Sequence, residues 1–139
     1  MIILGIDPGA NAGIAVFSGG RLETLLTISP HHISQFIRES GAARVIFEDS
    51  RLTSHVFTTV KSRPVALSMA RKVGQVDAWC TLIQLVCGEL DIPGHGISPK
   101  GKGAKLDAKA FARATGWLAS SNEHTRDAAM VAWPYRGAA

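Results

Sequence analysis

The sequence contains little cysteine and no long apolar run. Its two cysteines, Cys80 and Cys87, lie seven residues apart in one helical pattern, so they are not expected to pair with each other. We expect them to be small core residues of a protein from a reducing compartment. No apolar run reaches about 18 residues and no signal-peptide pattern opens the chain, which predicts a soluble, unexported protein without a membrane partner.

Acidic residues are scarce in two stretches of an otherwise mixed sequence. The chain has 15 Lys and Arg against 11 Asp and Glu, a formal net charge of +4 and a pI near 9.4. Residues 51–72 contain no acidic residue, and residues 100–113 contain only Asp107. Positive charge clustered in this way indicates a surface that binds a phosphate backbone, and a solvated basic face is the alternative.

The order of elements predicts one α/β domain over residues 1–139. Three antiparallel strands come first, over 2–6, 13–17 and 21–28, and later strands cover 44–48 and 95–98. Helices are expected over 30–40, 66–90, 108–115 and 123–133, with exposed loops at 50–64 and 99–103. This arrangement indicates a mixed five-stranded sheet flanked by helices.

Two of the buried strands end in a carboxylate. The first strand is followed by Asp7, and the fourth strand ends in Glu48. A charge at the edge of a buried strand is costly unless it is paired or bound to metal, which makes Asp7 a candidate ligand; a turn-forming aspartate is the alternative. Asp49 follows Glu48 directly, but successive strand residues point to opposite faces, so only one of the two can join Asp7.

The last predicted helix supplies two further polar side chains. His124 and Asp127 are three residues apart, so both project from one face of the first turn, while Ala128 and Val131 anchor the helix inward. A capping aspartate and a solvent-exposed histidine are the alternatives.

The long predicted helix carries a broad apolar stripe. Residues recur along it at alternating spacings of four and three: Met69, Val73, Val76, Cys80, Ile83 and Cys87. One side of this stripe can cover the sheet, and the rest fits a second helix from a partner subunit. Burial entirely within the monomer is the alternative.

These features together resemble the acidic cluster of the ribonuclease-H-like nuclease superfamily. More narrowly, the chain resembles the RuvC-type Holliday-junction resolvases nearly from end to end. The resemblance is carried by four motifs in order: Ile3-Leu4-Gly5-Ile6-Asp7-Pro8-Gly9, Ile46-Phe47-Glu48, Gly74-Gln75 and His124-Thr125-Arg126-Asp127-Ala128-Ala129.

The resemblance implies a ribonuclease-H-like fold and a homodimer packed through the long helix. Asp7, Glu48 and Asp127 would be metal-binding catalytic carboxylates, and His124 would take a ligand position that the family fills with aspartate or histidine. The implied cofactors are two Mg²⁺ ions per active site, with Mn²⁺ as a substitute. The implied activity is the resolution of four-way DNA junctions with 5′-phosphate ends, in the cytoplasm of a bacterial or phage-infected cell.

The predicted DNA-binding residues come from the two basic stretches: Arg51, Lys61, Arg63, Arg71, Lys72, Lys100, Lys102, Lys105 and Lys109. The resemblance places a basic residue near the fourth motif, which Lys105 or Lys109 matches. One departure concerns the aromatic wedge that the family tends to place shortly after the strand-end glutamate. Here Arg51-Leu52 occupies that region, and Phe57 follows later.

Three other classes of protein share part of this pattern. A ribonuclease-H-like nuclease acting on RNA, hybrids or unbranched DNA has the same acidic cluster. Sugar kinases and actin-like ATPases also use a Gly-x-Asp-x-Gly hairpin, but they need a second lobe that 139 residues do not provide. A DNA-binding module without activity would be distinguished by a nicking assay with Mg²⁺.

Overall fold

In a computed structural model, which describes residues 1–53, 62–101 and 103–137, the chain forms a five-stranded sheet with helices on both faces. The strands are β1 (Ile2–Asp7), β2 (Ala12–Ser18), β3 (Arg21–Ile28), β4 (Ala42–Glu48) and β5 (Gly94–Ile97). Their order across the sheet is β3-β2-β1-β4-β5. The first three strands pair antiparallel, whereas β4 runs parallel to both β1 and β5. The predicted mixed sheet is therefore confirmed.

In the described part of the chain, four α-helices cover this sheet. They are α1 (Ile33–Ser40), α2 (Arg63–Glu89), α3 (Ala108–Thr115) and α4 (Glu123–Ala132). Short 3₁₀ turns lie at Pro30–His32, Ser50–Leu52, Pro99–Gly101 and Trp133–Tyr135. As predicted, the Asp107 side chain caps α3 by accepting a hydrogen bond from the Ala110 amide.

The start of α2 differs from the sequence prediction. The helix begins at Arg63 and not near Ala66, because the Ser62 hydroxyl accepts a hydrogen bond from the Val65 amide and caps the first turn. Pro64 fits this turn since its missing N–H has no helical partner there. The apolar period that predicted the helix starts only after this cap, so the predicted helix was too short at this end.

Each face of the sheet has its own core. On one face, α1 and α2 pack on Leu4, Ile14 and Phe47. On the other face, α3 and α4 pack on Ile3 and residues of β2 and β4. Because neighbouring strand residues alternate between faces, a central strand such as β1 must be apolar on both sides, which its sequence satisfies up to Asp7.

Half of the residues in the predicted dimer stripe on α2 are buried within the monomer. Cys80, Ile83 and Cys87 are at most 1% exposed and pack against the sheet, so their assignment to a dimer interface is wrong. Burial also raises the pKa of the Cys87 thiol to about 11, which keeps this thiol neutral. Both cysteines are buried, which confirms them as core residues. Nearer the start of α2, Met69 is 44% exposed and Val73 is half-buried.

Within the described residues, none of the helices combines the length and the apolar character that crossing a bilayer requires.

Candidate metal centre

Two parallel strands bring Asp7 and Glu48 to the same edge of the sheet. β1 and β4 are adjacent, and their register pairs Ile6 with Phe47, so the next residue of each strand is a carboxylate. The backbone therefore sets the two side chains beside each other, as expected from two buried strands that end in acids. Asp49 lies on the opposite face, where it is 3% exposed, which confirms that only one of the two neighbouring acids joins Asp7.

Two glycines let α4 lie directly on the sheet. A Cβ on Gly5 of β1 would collide with the carbonyl oxygen of Ala128 and approach the Ala132 Cβ to 2.9 Å. A Cβ on Gly13 of β2 would collide with the carbonyl group of His124. Because these positions have no side chain, the backbone of α4 reaches the strands at the level of the acidic edge. This close packing of α4 on the strands places Asp127 beside Asp7.

The three carboxylates of Asp7, Glu48 and Asp127 converge on one point. Each offers an oxygen, and these oxygens all lie within 4.8 Å of one another. Asp127 is only 8% exposed, and the other two are partly buried. Carboxylates are hard oxygen donors of the kind that Mg²⁺ and Mn²⁺ prefer, so this donor set fits a divalent cation.

His124 lies beside this acidic triad but is not one of its members. Its Nδ1 atom is 3.8 Å from an oxygen of Asp7, and its Nε2 atom is 3.6 Å from an oxygen of Glu123. The side chain lines the same cavity as the three carboxylates. The ligand role predicted for His124 therefore remains a prediction.

An open cavity of about 490 Å³ lies over the triad. Besides the carboxylates and His124, it is lined by the turn after β1, by Ser50 and Val76, and by residues of the segment 99–105. From that segment Lys105 places its Nζ atom 3.4 Å from an oxygen of Asp127, while 67% of its side chain remains exposed. The positively charged ammonium group of Lys105 therefore lies at the edge of a cavity that is lined by three carboxylates.

The other basic residues occupy several places on the surface. Arg63, Arg71 and Lys72 are exposed on the first half of α2. Lys100 is exposed in the turn Pro99–Gly101, and Lys109 is exposed on α3. Lys61, Lys102 and the possible wedge Phe57 lie outside the described residues. Leu52, the other apolar wedge candidate, is 57% exposed.

Arg51 has a partner within the chain. Its Nε and NH2 groups donate hydrogen bonds to the two carboxylate oxygens of Asp49, at 2.9 and 2.8 Å. This guanidinium holds the pKa of the Asp49 carboxyl below its usual value. The contact with DNA predicted for Arg51 remains a prediction, and its guanidinium already pairs with a buried acid.

Sequence reasoning missed the Asp49–Arg51 pair and the role of Gly5 and Gly13. An acid and a base two residues apart in a loop give no signal of a mutual contact. The glycines were visible as interruptions of apolar strands, which is a known sign of close backbone approach. What approaches them, the backbone of α4, follows only from the tertiary structure.

The chain combines a mixed five-stranded α/β fold with a candidate metal centre at one edge of the sheet. No protein-family model and no curated protein sequence matches the chain. Among solved structures, the chain is similar to T. thermophilus RuvC in complex with a Holliday junction substrate. The TM-score is 0.63 at 17% identity, over 96% of this chain and 90% of that one. At this identity the likeness shows the fold, and it confirms the predicted fold class.

Proposed function

We propose that this protein is a metal-dependent endonuclease that cuts branched DNA and resolves four-way junctions. The observation that carries the proposal is the convergence of Asp7, Glu48 and Asp127, from two strands and one helix, on one open cavity. The similar T. thermophilus protein was solved with a Holliday junction, which supports the choice of substrate. The basic stretches of this chain also support it, since nucleic-acid phosphates attract such surfaces.

The roles of the residues follow from their positions. Asp7, Glu48 and Asp127 would hold two divalent ions, Mg²⁺ or Mn²⁺, and His124 would complete the ligand set. When bound, such a pair of ions supplies an activated water and stabilises the leaving oxygen of the phosphodiester. Lys105 would contact a phosphate of the strand being cut, because its ammonium group stands beside Asp127 and is largely exposed. Hydrolysis would leave a 5′-phosphate and a 3′-hydroxyl.

Basic residues lie at the cavity and next to residues that line it. Val76 of α2 lines it, and Lys72 precedes Val76 by one helical turn on the same side of the helix. Lys105 itself lines the cavity, and Lys100 is exposed next to Pro99, which also lines it. A phosphate backbone at the cavity would therefore meet positive charge close to the acidic triad.

We predict that reversing charge on one side of the cavity weakens DNA binding and its dependence on salt. The double change Lys105→Glu and Lys109→Glu should reduce the slope of log Kobs against log salt concentration by about 0.9 for each phosphate that the variant no longer neutralises. Fluorescence anisotropy with a labelled four-way junction at several salt concentrations measures this slope.

The control is Arg21→Glu, which reverses a single charge away from the cavity. Arg21 begins β3 at the end of the sheet opposite Asp7, so its reversal should change the slope much less. Equal slopes for the double variant and the wild type would show that Lys105 and Lys109 do not contact the DNA.

The proposal includes a homodimer, since two nicks of matching polarity resolve a junction. In support, Val65 and Met69 lie one helical turn apart on the first half of α2 and are 51% and 44% exposed. Apolar side chains grouped in this way are typical of a surface that a second subunit covers. The interface would thus use Met69 and Val73 of the predicted stripe, with Val65 added.

The substrate is tested by direct comparison under Mg²⁺. Purified protein is incubated with a mobile four-way junction, a linear duplex of the same sequence, and an RNA–DNA hybrid, and the products are resolved on denaturing gels. We expect paired nicks in junction strands of like polarity and little cutting of the other two substrates. Faster cutting of the hybrid or the duplex would contradict junction resolution and leave a less selective nuclease.

A further inference from the structure

The end of β4 that carries Glu48 is held by contacts on the side of β4 that faces away from β1. β1 pairs with β4 only as far as Phe47, so Glu48 lies beyond that ladder. On its other side Glu48 pairs with Ile97, near the end of β5, an edge strand of four residues. A metal ligand at such a position needs further support, because ligands bind well only when they are held in place.

That support comes from Asp49. Its amide donates a hydrogen bond to the Ile97 carbonyl oxygen at 2.8 Å, and its buried carboxylate accepts three hydrogen bonds from Arg51. The Asp49 side chain lies against Gly96 of β5, so that a Cβ added to Gly96 would stand only 2.8 Å from the Asp49 Cβ. Asp49 is therefore enclosed between β5 and the guanidinium.

The same turn is attached to α2. The Arg51 NH1 group donates to the Thr81 hydroxyl at 3.3 Å, and the Ser50 hydroxyl donates to an Asp77 oxygen at 2.6 Å. These hydrogen bonds join the residues that follow Glu48 to a long helix whose second half is packed on the sheet. The end of β4 is thus held by β5 on one side and by α2 on the other.

We propose that Asp49 and Arg51 are positioning residues for the metal centre, which fix the Glu48 carboxylate toward Asp7 and Asp127 through their ion pair. This inference rests on the proposed function, because it assigns the pair a task in the same metal site.

The decisive variant is Arg51→Gln, with Mn²⁺ binding by the full chain as the readout. Removing a positive charge near a cation site would, by electrostatics alone, tighten Mn²⁺ binding. Weaker positioning of Glu48 has the opposite effect, and removing a residue that orients a metal ligand typically weakens metal binding about 10- to 100-fold. We expect the Kd for Mn²⁺, measured by calorimetry without nucleic acid, to rise about tenfold.

Two further variants complete the design. Asp49→Asn should weaken Mn²⁺ binding to a similar degree, and the double variant should be no weaker than either single one, because both changes break one ion pair. The control is Arg113→Gln on α3, which makes the same charge change at an exposed site and should not raise the Kd. If Arg51→Gln does not fold, Gly96→Ala displaces Asp49 without any change of charge and should likewise raise the Kd.

The outcomes separate this inference from the proposed function. A Kd for Arg51→Gln equal to or lower than that of the wild type, in a variant with normal thermal unfolding, overturns the positioning role and leaves the nuclease proposal standing. A raised Kd supports the positioning role even if the wild type cuts no junction. A wild type that binds no Mn²⁺ overturns both.

Discussion

Asp7→Asn is expected to abolish cleavage while the protein still binds DNA. Asp7 belongs with Glu48 and Asp127 to the candidate metal-binding triad, so its replacement should cost more than the roughly 10- to 100-fold that follows removal of a residue which only orients a ligand. Binding should persist or tighten, since removing a negative charge beside DNA does not weaken the attraction of basic residues to phosphates. Single-turnover cleavage and anisotropy on the same four-way junction measure the two effects.

The matched control for Asp7→Asn is Asp107→Asn. It makes the same chemical change in an exposed cap of α3, where asparagine caps equally well. The control should cut at the wild-type rate. Normal cleavage by Asp7→Asn would remove Asp7 from the active site, and an equal reduction in both variants would show that the effect is not specific to the triad.

Gly5→Ala is expected to damage both the fold and the metal centre. The new methyl group would collide with the Ala128 carbonyl oxygen and crowd the Ala132 Cβ, so α4 must move away from β1. Overpacking of this kind costs typically about 1–3 kcal/mol, and a backbone collision places Gly5 at the upper end of that range. Asp127 would move with α4, so Mn²⁺ binding should weaken as well.

Gly74→Ala provides the control for Gly5→Ala. Gly74 lies inside α2 with nothing within 4 Å of an added Cβ. Alanine there should raise the free energy of unfolding by roughly 0.5–1 kcal/mol, because glycine is a poor helix former. Urea unfolding of both variants measures the contrast. Wild-type stability of Gly5→Ala would show that α4 does not lie against β1.

The strand-end acids of the centre could be predicted from the sequence because their signals are local, whereas Asp127 was joined to them through the family resemblance. β1 and β4 are short apolar runs that each end in an acid, and a turn of α4 carries Asp127. Parallel neighbouring strands that end at one edge then bring Asp7 and Glu48 together without further information. The same local logic predicted the cap of α3 and the five strands.

The errors arose where tertiary packing decides. The stripe on α2 was continuous in sequence, but the sheet covers only its second half, so Cys80, Ile83 and Cys87 are buried and Met69 is exposed. The pairing of Arg51 with Asp49 was missed, because it depends on how the turn after β4 meets α2. Neither the partial cover of α2 by the sheet nor the pairing of Asp49 with Arg51 is indicated by the periodicity or the composition of the sequence.

The central claim is that Asp7, Glu48 and Asp127 form a divalent metal centre. Anomalous diffraction from crystals of the protein grown with MnCl₂ tests it most directly, since it locates Mn²⁺ independently of any activity. The account predicts a Mn²⁺ peak bounded by the carboxylates of these three residues, and its absence from crystals of Asp7→Asn. Mn²⁺ peaks that appear only elsewhere on the protein, with none at the triad, would contradict it.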